Sequence, residues 1–384
     1  MEVQDGIWFV FLFAFGCCVG SFLNVVIYRL PREKSIVRPP SACPACGKRI
    51  QPYDNIPLVS WLVLGRKCRY CRAPISPRYF VIELLTGLVF VGLFAVYFRT
   101  GLRDGMNHFL GGGWFIYGLH LTLLAAFIAA SAIDLELWVI PLSICWLVTA
   151  VGLIGSAAAG YVIDPSVIHA YSLLPRASAG TGALAAGAAI GLGLSWVLLA
   201  SGLIKRSYES EESEQPAKSP NDLDQRPFHH RLEICREIVF LLPVVVCAVG
   251  AFWITRDNGW VHARWVTFSQ HRVVAGFLGS ALGYFVGCAV VWATRIFGTL
   301  AFGKEAMGLG DVHLMGAAGA VVGPVPVVAA FFVAPFFGLA WAGFQMFFKK
   351  TRQIPYGPFL SLGVLVVMIL HDWIFSYWDL ITSR

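Results

Sequence analysis

The chain has 384 residues, 57% of them hydrophobic and only 13% charged, with a formal net charge of +7. Soluble globular domains are about a quarter charged, so this composition excludes an ordinary water-soluble enzyme. Apolar runs of about 20 residues recur along it, each enough to cross a hydrocarbon core of about 30 Å as a helix, and only helices or closed barrels satisfy the backbone in lipid.

The expected class is therefore an all-α polytopic membrane protein with about nine or ten transmembrane helices. Spans are expected at 7–29, 78–98, 114–133, 138–160, 178–203, 236–255, 271–296, 325–346 and 356–377, with a short tenth segment at 312–323 before the "GPVP" break. The first span is not expected to be a cleaved signal peptide, because its leading residues Glu2 and Asp5 are acidic rather than basic. "AFGCC" (14–18) reads as small residues at a helix contact rather than as a lipoprotein cleavage site.

Orientation follows from the basic residues. The loop 30–77 and its flanks hold a Lys/Arg excess, including Arg32, Lys34, Lys48, Arg66 and Arg72, against Glu33 and Asp54 alone. Such loops stay cytoplasmic. Counting spans from there makes 134–138, 205–235, 297–311 and 347–355 cytoplasmic too, and Lys349, Lys350 and Arg352 agree independently. The net charge thus reports topology, and nucleic-acid binding is not expected.

Within that loop, Cys43 and Cys46, then Cys68 and Cys71, form two CxxC knuckles. Two thiolates three residues apart grip one tetrahedral ion from a tight turn, and a second pair completes four-sulfur coordination. Two disulfides are the alternative, disfavoured where thiols are kept reduced. Four protein ligands leave no open position, so Zn2+ here would be structural. It would fold a cytoplasmic module too small to hold itself together by burial. The other cysteines have no pairing pattern and are expected to pack.

Two carboxylates stand out, since ionisable groups near the membrane interior are costly and tend to be functional. Asp134 lies in "FIAASAIDLELWVIP", at the cytoplasmic end of the third span. Asp311 lies in "MGLGDVHL", at the cytoplasmic start of the short segment. The inferred topology puts both on one face. Two carboxyls at a shared, partly desolvated site do not both ionise, which leaves one acid and one base. That pair can activate water and protonate the leaving amine of a peptide, with neither role fixed to one residue. Gly308 and Gly310 clear side chains from beside Asp311. The alternatives are that Asp311 only caps a helix, that Glu136 competes with Asp134, and that Glu83 caps its helix or pairs with Arg78.

These stretches together resemble the type IV prepilin peptidase family of GxGD-type intramembrane aspartic proteases. "GSFLNVVIYRLPRE" (20–33), the knuckle loop and the helix after it (53–87), "AIDLELWVIP" (132–141), "GKEAMGLGDVHLMGAAGA" (303–320) and "IPYGPFLSLG" (354–363) resemble its signatures in order. The resemblance implies Asp134 and Asp311 as the catalytic pair. It implies cleavage of the basic leader of type IV prepilins or pseudopilins at the cytoplasmic face of a bacterial inner membrane. It further implies S-adenosylmethionine-dependent methylation of the new N-terminus, associated with the 30–77 loop. The residues themselves show no Gly-rich nucleotide-binding loop, so peptidase activity without methylation stays open. A transporter or secretion scaffold using the aspartates as a proton path is the non-enzymatic alternative.

Two departures from the family are expected to matter. His313 stands where a lysine is usual, and residues 177–271 look inserted. The chain then divides into a first transmembrane helix (1–29), the knuckle loop (30–77), membrane helices with the first aspartate (78–176), an inserted two-helix hairpin (177–271) and membrane helices with the second aspartate (272–384). The hairpin's "SAGTGALAAGAAIGLG" reads as a packing surface. Its polar 205–235 stretch reads as a flexible linker, in which His229 and His230 carry no metal expectation.

Overall fold

The computed structural model describes residues 3–102, 106, 109–163, 174–204, 230–257, 259–348, 355–374 and 376. Its α-helices, in chain order, are α1 (Val3–Arg29), α2 (Val59–Val63), α3 (Pro77–Phe98), α4 (Trp114–Leu137), α5 (Leu142–Val162), α6 (Ala179–Ala200), α7 (His230–Asp257), α8 (Gly259–Ser269), α9 (Arg272–Phe302), α10 (Leu309–Val322), α11 (Pro324–Phe348) and α12 (Gly357–Ile369). Eight are long and apolar enough to cross a membrane, and α10 and α12 are shorter apolar helices. This is a multi-pass membrane protein.

Among the described residues, ten apolar helices fall at the ten expected positions, but eight rather than nine are long enough to cross, and further differences are local. Within the ninth expected span, 356–377, Gly357–Ile369 is a helix of 13 residues, too short to cross alone at 1.5 Å per residue, and residues 371–374 are helical again after a bend at Leu370. The third span runs on to Leu137, so Asp134 lies inside the helix rather than beyond it. The fourth starts only at Leu142, after Pro141, and α9 continues to Phe302. The α8 helix was not expected: its aromatic and polar residues show no long apolar run, yet Trp265 Nε1 anchors it by donating to the Ala179 carbonyl at 2.7 Å. Of the expected linker 205–235, residues 230–235 are the first turns of α7. The rest, with His229, lies outside the described residues.

The chain divides into two units, Met1–Val148, Val162–Leu173 and Ala329–Arg384 in one, Thr149–Tyr161 and Leu174–Val328 in the other. In the first, α1 packs along α3, and α4 packs on α12, α1 and α3. Ser76 starts α3, its hydroxyl accepting the Arg78 N–H at 3.3 Å, with Pro77 preset for the first turn. Residue Glu83, nine-tenths buried on α3, does not pair with Arg78. Its Oε2 accepts the Leu58 N–H at 2.8 Å and so ties the knuckle loop to the membrane helices.

In the second unit, α6 and α7 form a close hairpin, and α9 packs antiparallel to α10. A capping box of Ser178 and Thr181 opens α6. The glycines of its small-residue stretch face α7: a Cβ at Gly187 or Gly191 would overlap the Cys247 or Pro243 carbonyl. The packing-surface expectation holds. Between α9 and α10, Gly283 and Gly319 lie against each other, and a Cβ on either would overlap the other's carbonyl oxygen. Without a hydrophobic drive between helices in lipid, such backbone approach supplies the packing that holds them.

Candidate active site

Asp134 belongs to the first unit and is buried, 6% exposed, in the last turn of α4. Trp138 closes that helix in the left-handed conformation, its N–H returning to the Asp134 carbonyl at 3.0 Å. The carboxylate meets the N-terminus of α12: Asp134 Oδ2 accepts the Gly357 N–H at 3.1 Å. A helix N-terminus offers unpaired N–H groups and a positive dipole end to an anion. Any other residue would spoil the contact, since a Cβ at Gly357 would sit 2.7 Å from Oδ2. One turn along on each helix, Ser131 and Ser361 are hydrogen-bonded at 3.0 Å, and Ser361 also donates to the Gly357 carbonyl, which fixes the register. Nothing local to "IPYGPFLSLG" announces this task for Gly357, because its partner lies 223 positions away.

Asp311 belongs to the second unit and is buried, 9% exposed, in the first turn of α10. It is not the N-cap: Gly308 holds that position, and the Asp311 N–H closes on the Gly308 carbonyl at 3.2 Å. The carboxylate thus reaches back over the helix start, and a Cβ at Gly308 would lie 3.4 Å from Asp311 Oδ2. Gly310 is the intervening residue of that turn. His313, two positions on, faces α9, where its Nδ1 and the Tyr284 hydroxyl are 3.3 Å apart.

Glu136 does not compete with Asp134 for the same surroundings. It forms an ion pair with Arg78 at the start of α3.

The four cysteines come together. The Sγ atoms of Cys43, Cys46, Cys68 and Cys71 all lie within 4.8 Å of one another. Cys43 and Cys71 are 3.8 Å apart, too far for a disulfide and equal to the edge of a tetrahedron with metal–sulfur bonds of about 2.3 Å. The knuckles are built alike. Cys43 N–H donates to Lys48 O and Cys68 N–H to Ala73 O. Gly47 N–H donates to Cys43 O and Arg72 N–H to Cys68 O. Gly47 and Arg72 are both left-handed at the equivalent position, and bridges Ala42–Arg49 and Lys67–Pro74 close the two loops.

The N–H groups of Cys71 and Tyr70 point at Cys68 Sγ, and with the neighbouring sulfurs they lower its pKa to about 6 despite desolvation. Cys71 accepts the Ala73 N–H, yet desolvation and the three other sulfurs push it up to about 11. One thiolate forms readily and the next is resisted, an imbalance that a bound cation removes. The donor set fits a metal ion. Beside it, Arg69 grips Asp54 through two nitrogens and holds that carboxyl below the usual range.

A multi-pass helical membrane protein with a four-cysteine cluster and two buried carboxylates at helix ends is a narrow class. Residues 14–97 match the Bacterial Peptidase A24 N-terminal domain, and residues 236–343 match the Type IV leader peptidase family. The second range contains Asp311 and opens at Arg236, within the 177–271 stretch; Asp134 lies between the two ranges. A "Prepilin leader peptidase/N-methyltransferase" of Myxococcus xanthus is 48% identical over 134 residues, 35% of this chain and 36% of that one. One of Aeromonas hydrophila is 32% identical over 251 residues, 53% of this chain and 82% of that one. A "Type 4 prepilin-like proteins leader peptide-processing enzyme" of Escherichia coli is 39% identical over 140 residues, 32% of this chain and 46% of that one. The chain belongs to the type IV leader peptidase family. No solved structure matches it.

Proposed function

We propose that the chain cleaves the leader peptides of type IV prepilins or pseudopilins with Asp134 and Asp311 as its catalytic pair. The observation that carries this reading is the setting of Asp134, a buried carboxylate at a helix end that accepts an N–H from a helix N-terminus in room kept clear by Gly357. Asp311, in the glycine-flanked first turn of α10, is the second carboxylate of matching kind. One aspartate, ionised, takes a proton from water as it attacks the scissile carbonyl carbon. The other, protonated, hydrogen-bonds the carbonyl oxygen and then supplies the proton the leaving amine needs. The Lys/Arg excess of residues 30–77 supports a cytoplasmic knuckle loop, and the count of spans from it supports the same side for both aspartates, where a basic leader would be presented at a bacterial inner membrane.

The second activity is methylation of the new N-terminus with S-adenosylmethionine as donor. It rests on the family: among the described residues no Gly-rich strand–loop–helix forms a cradle for the donor. The four cysteines would hold a structural Zn2+, whose chemistry is to fix the 30–77 loop.

The test supplies a pilin-type precursor with a short basic leader, plus methyl donor, to membranes carrying this chain. Mass spectrometry is expected to find the mature chain with one added methyl group. A mature but unmethylated product selects the peptidase-only version, and an intact precursor rejects both.

A further inference from the structure

Around the loop that delivers Asp311, a buried ionic relay starts on a different helix. Arg295, on α9, is 2% exposed, and so is Glu237, on α7. Arg295 Nε donates to Glu237 Oε1 at 2.7 Å. Its Nη1 donates to the Met307 carbonyl at 2.6 Å and lies 2.8 Å from Glu305 Oε1. Met307 is the residue immediately before the Gly308–Asp311 turn.

The connection between α9 and α10 needs such anchors. After Gly303 ends α9 in the left-handed conformation, residues 303–306 are exposed and form no helix. The chain is brought back by Ala306 N–H on the buried Thr299 hydroxyl at 3.3 Å, and then by Arg295 on Met307. Arg295 is the anchor nearest Asp311. It fixes where the backbone enters α10, and hence which N–H groups and which carboxylate form the first turn.

Elsewhere the α6–α7 hairpin packs through small residues, and a charged pair adds nothing to such packing. A buried ion pair is poor value for stability compared with apolar residues of the same volume, and its best-attested use is to fix register. Glu237 matches that use. It is the buried partner of Arg295, beside the exposed Glu305, and holds Nε so that Nη1 faces the loop, while Phe240, one turn on, lies against Trp292 of α9 with ring centroids 5.9 Å apart. Ser195 of α6 donates to the Phe240 carbonyl at 2.7 Å, so both helices of the hairpin join this contact.

We propose that Arg295 and Glu237 are positioning residues for the peptidase reaction, and that the α6–α7 hairpin sets the Asp311 loop through them. This rests on the assignment of Asp311 above, and the experiment separates the two.

Full-length E237Q, E237D, R295K and D311N are purified in detergent, and turnover of a leader-bearing pilin peptide is measured per folded enzyme, with melting temperature. E237Q keeps the size and loses the charge. R295K keeps the charge and loses the fork that reaches Glu237 and Met307 together. Both are expected to lower kcat about 10- to 10²-fold, the usual scale for misplacing a reacting group, with KM within about twofold. E237D is expected to recover part of the loss. Wild-type kcat in E237Q and R295K, or a kcat loss that only follows a loss of folded protein, overturns the proposal. Failure of both variants to yield folded enzyme overturns it as well, since the pair would then be a determinant of folding. An inactive D311N alongside wild-type E237Q rejects this proposal alone; an active D311N rejects the assignment beneath it.

Discussion

The Gly357 N–H donates to Asp134 Oδ2 at 3.1 Å, at a point where even a methyl group on Gly357 would sit 2.7 Å from that oxygen. Glycine is demanded here by the room the carboxylate needs, and the residue 223 positions away explains the "PYGP" stretch.

The first prediction follows. Gly357→Ala pushes Asp134 off the helix N-terminus or moves α12, so kcat for leader removal should fall about 10- to 10²-fold. The protein should remain folded, because the N–H itself is retained. Peptide turnover and melting temperature check this, and an active Gly357→Ala enzyme would falsify the role given to the contact.

The four-sulfur cluster leads to a second. Purified protein should carry one zinc per chain by elemental analysis, and Cys43→Ser or Cys68→Ser should lose it. With the metal gone the thiols take up protons, nothing ties the two knuckles together, and the loop should open. Trypsin cutting at Arg66, Lys67 or Arg72 should then quicken markedly, while the membrane helices stay intact. Metal-free wild-type protein with an equally resistant loop would contradict this.

Glu83 gives a third. Its carboxylate is nine-tenths buried and accepts the Leu58 N–H at 2.8 Å. Glu83→Ala leaves that N–H without its partner, a cost of about 1–3 kcal/mol. Because the bond joins the knuckle loop to α3, the loss should show as faster hydrogen exchange across residues 56–64 rather than as general unfolding. Unchanged exchange there would mean the tie carries no load.

A fourth concerns the α9–α10 contact. Gly283→Val places branched carbon where the Gly319 carbonyl already sits. Overpacking of this kind costs about 1–3 kcal/mol, and the melting temperature in detergent should drop by several degrees. Gly343→Val, at a glycine with open space around it, is the control that should not move.

Much of this architecture was legible in the sequence, for physical reasons that differ by element. The long helices announce themselves because lipid demands about 20 apolar residues per crossing; α8 does not, since a short helix of mixed aromatic and polar residues obeys no such demand. The four cysteines were legible because knuckle spacing is local. The aspartates stood out as charges at the ends of apolar runs. Their partners did not: Gly357 reaches Asp134, Leu58 reaches Glu83 and Glu237 reaches Arg295 across separations of 223, 25 and 58 positions. Local pattern carries no trace of such pairings. Asp311 read as a possible cap for the same reason, since only the folded turn distinguishes the N-cap Gly308 from the residue three positions on.

The proposed function requires Asp134 and Asp311 to act as one catalytic unit. Leader removal should be measured per folded enzyme for D134N, D311N and the double variant. Residues that act together give strongly non-additive losses. Each single variant is expected to lose at least about 10³-fold in kcat, and the double variant to be no slower than either. A single variant that cleaves at the wild-type rate, or a double variant whose loss is the product of the two singles, would contradict it.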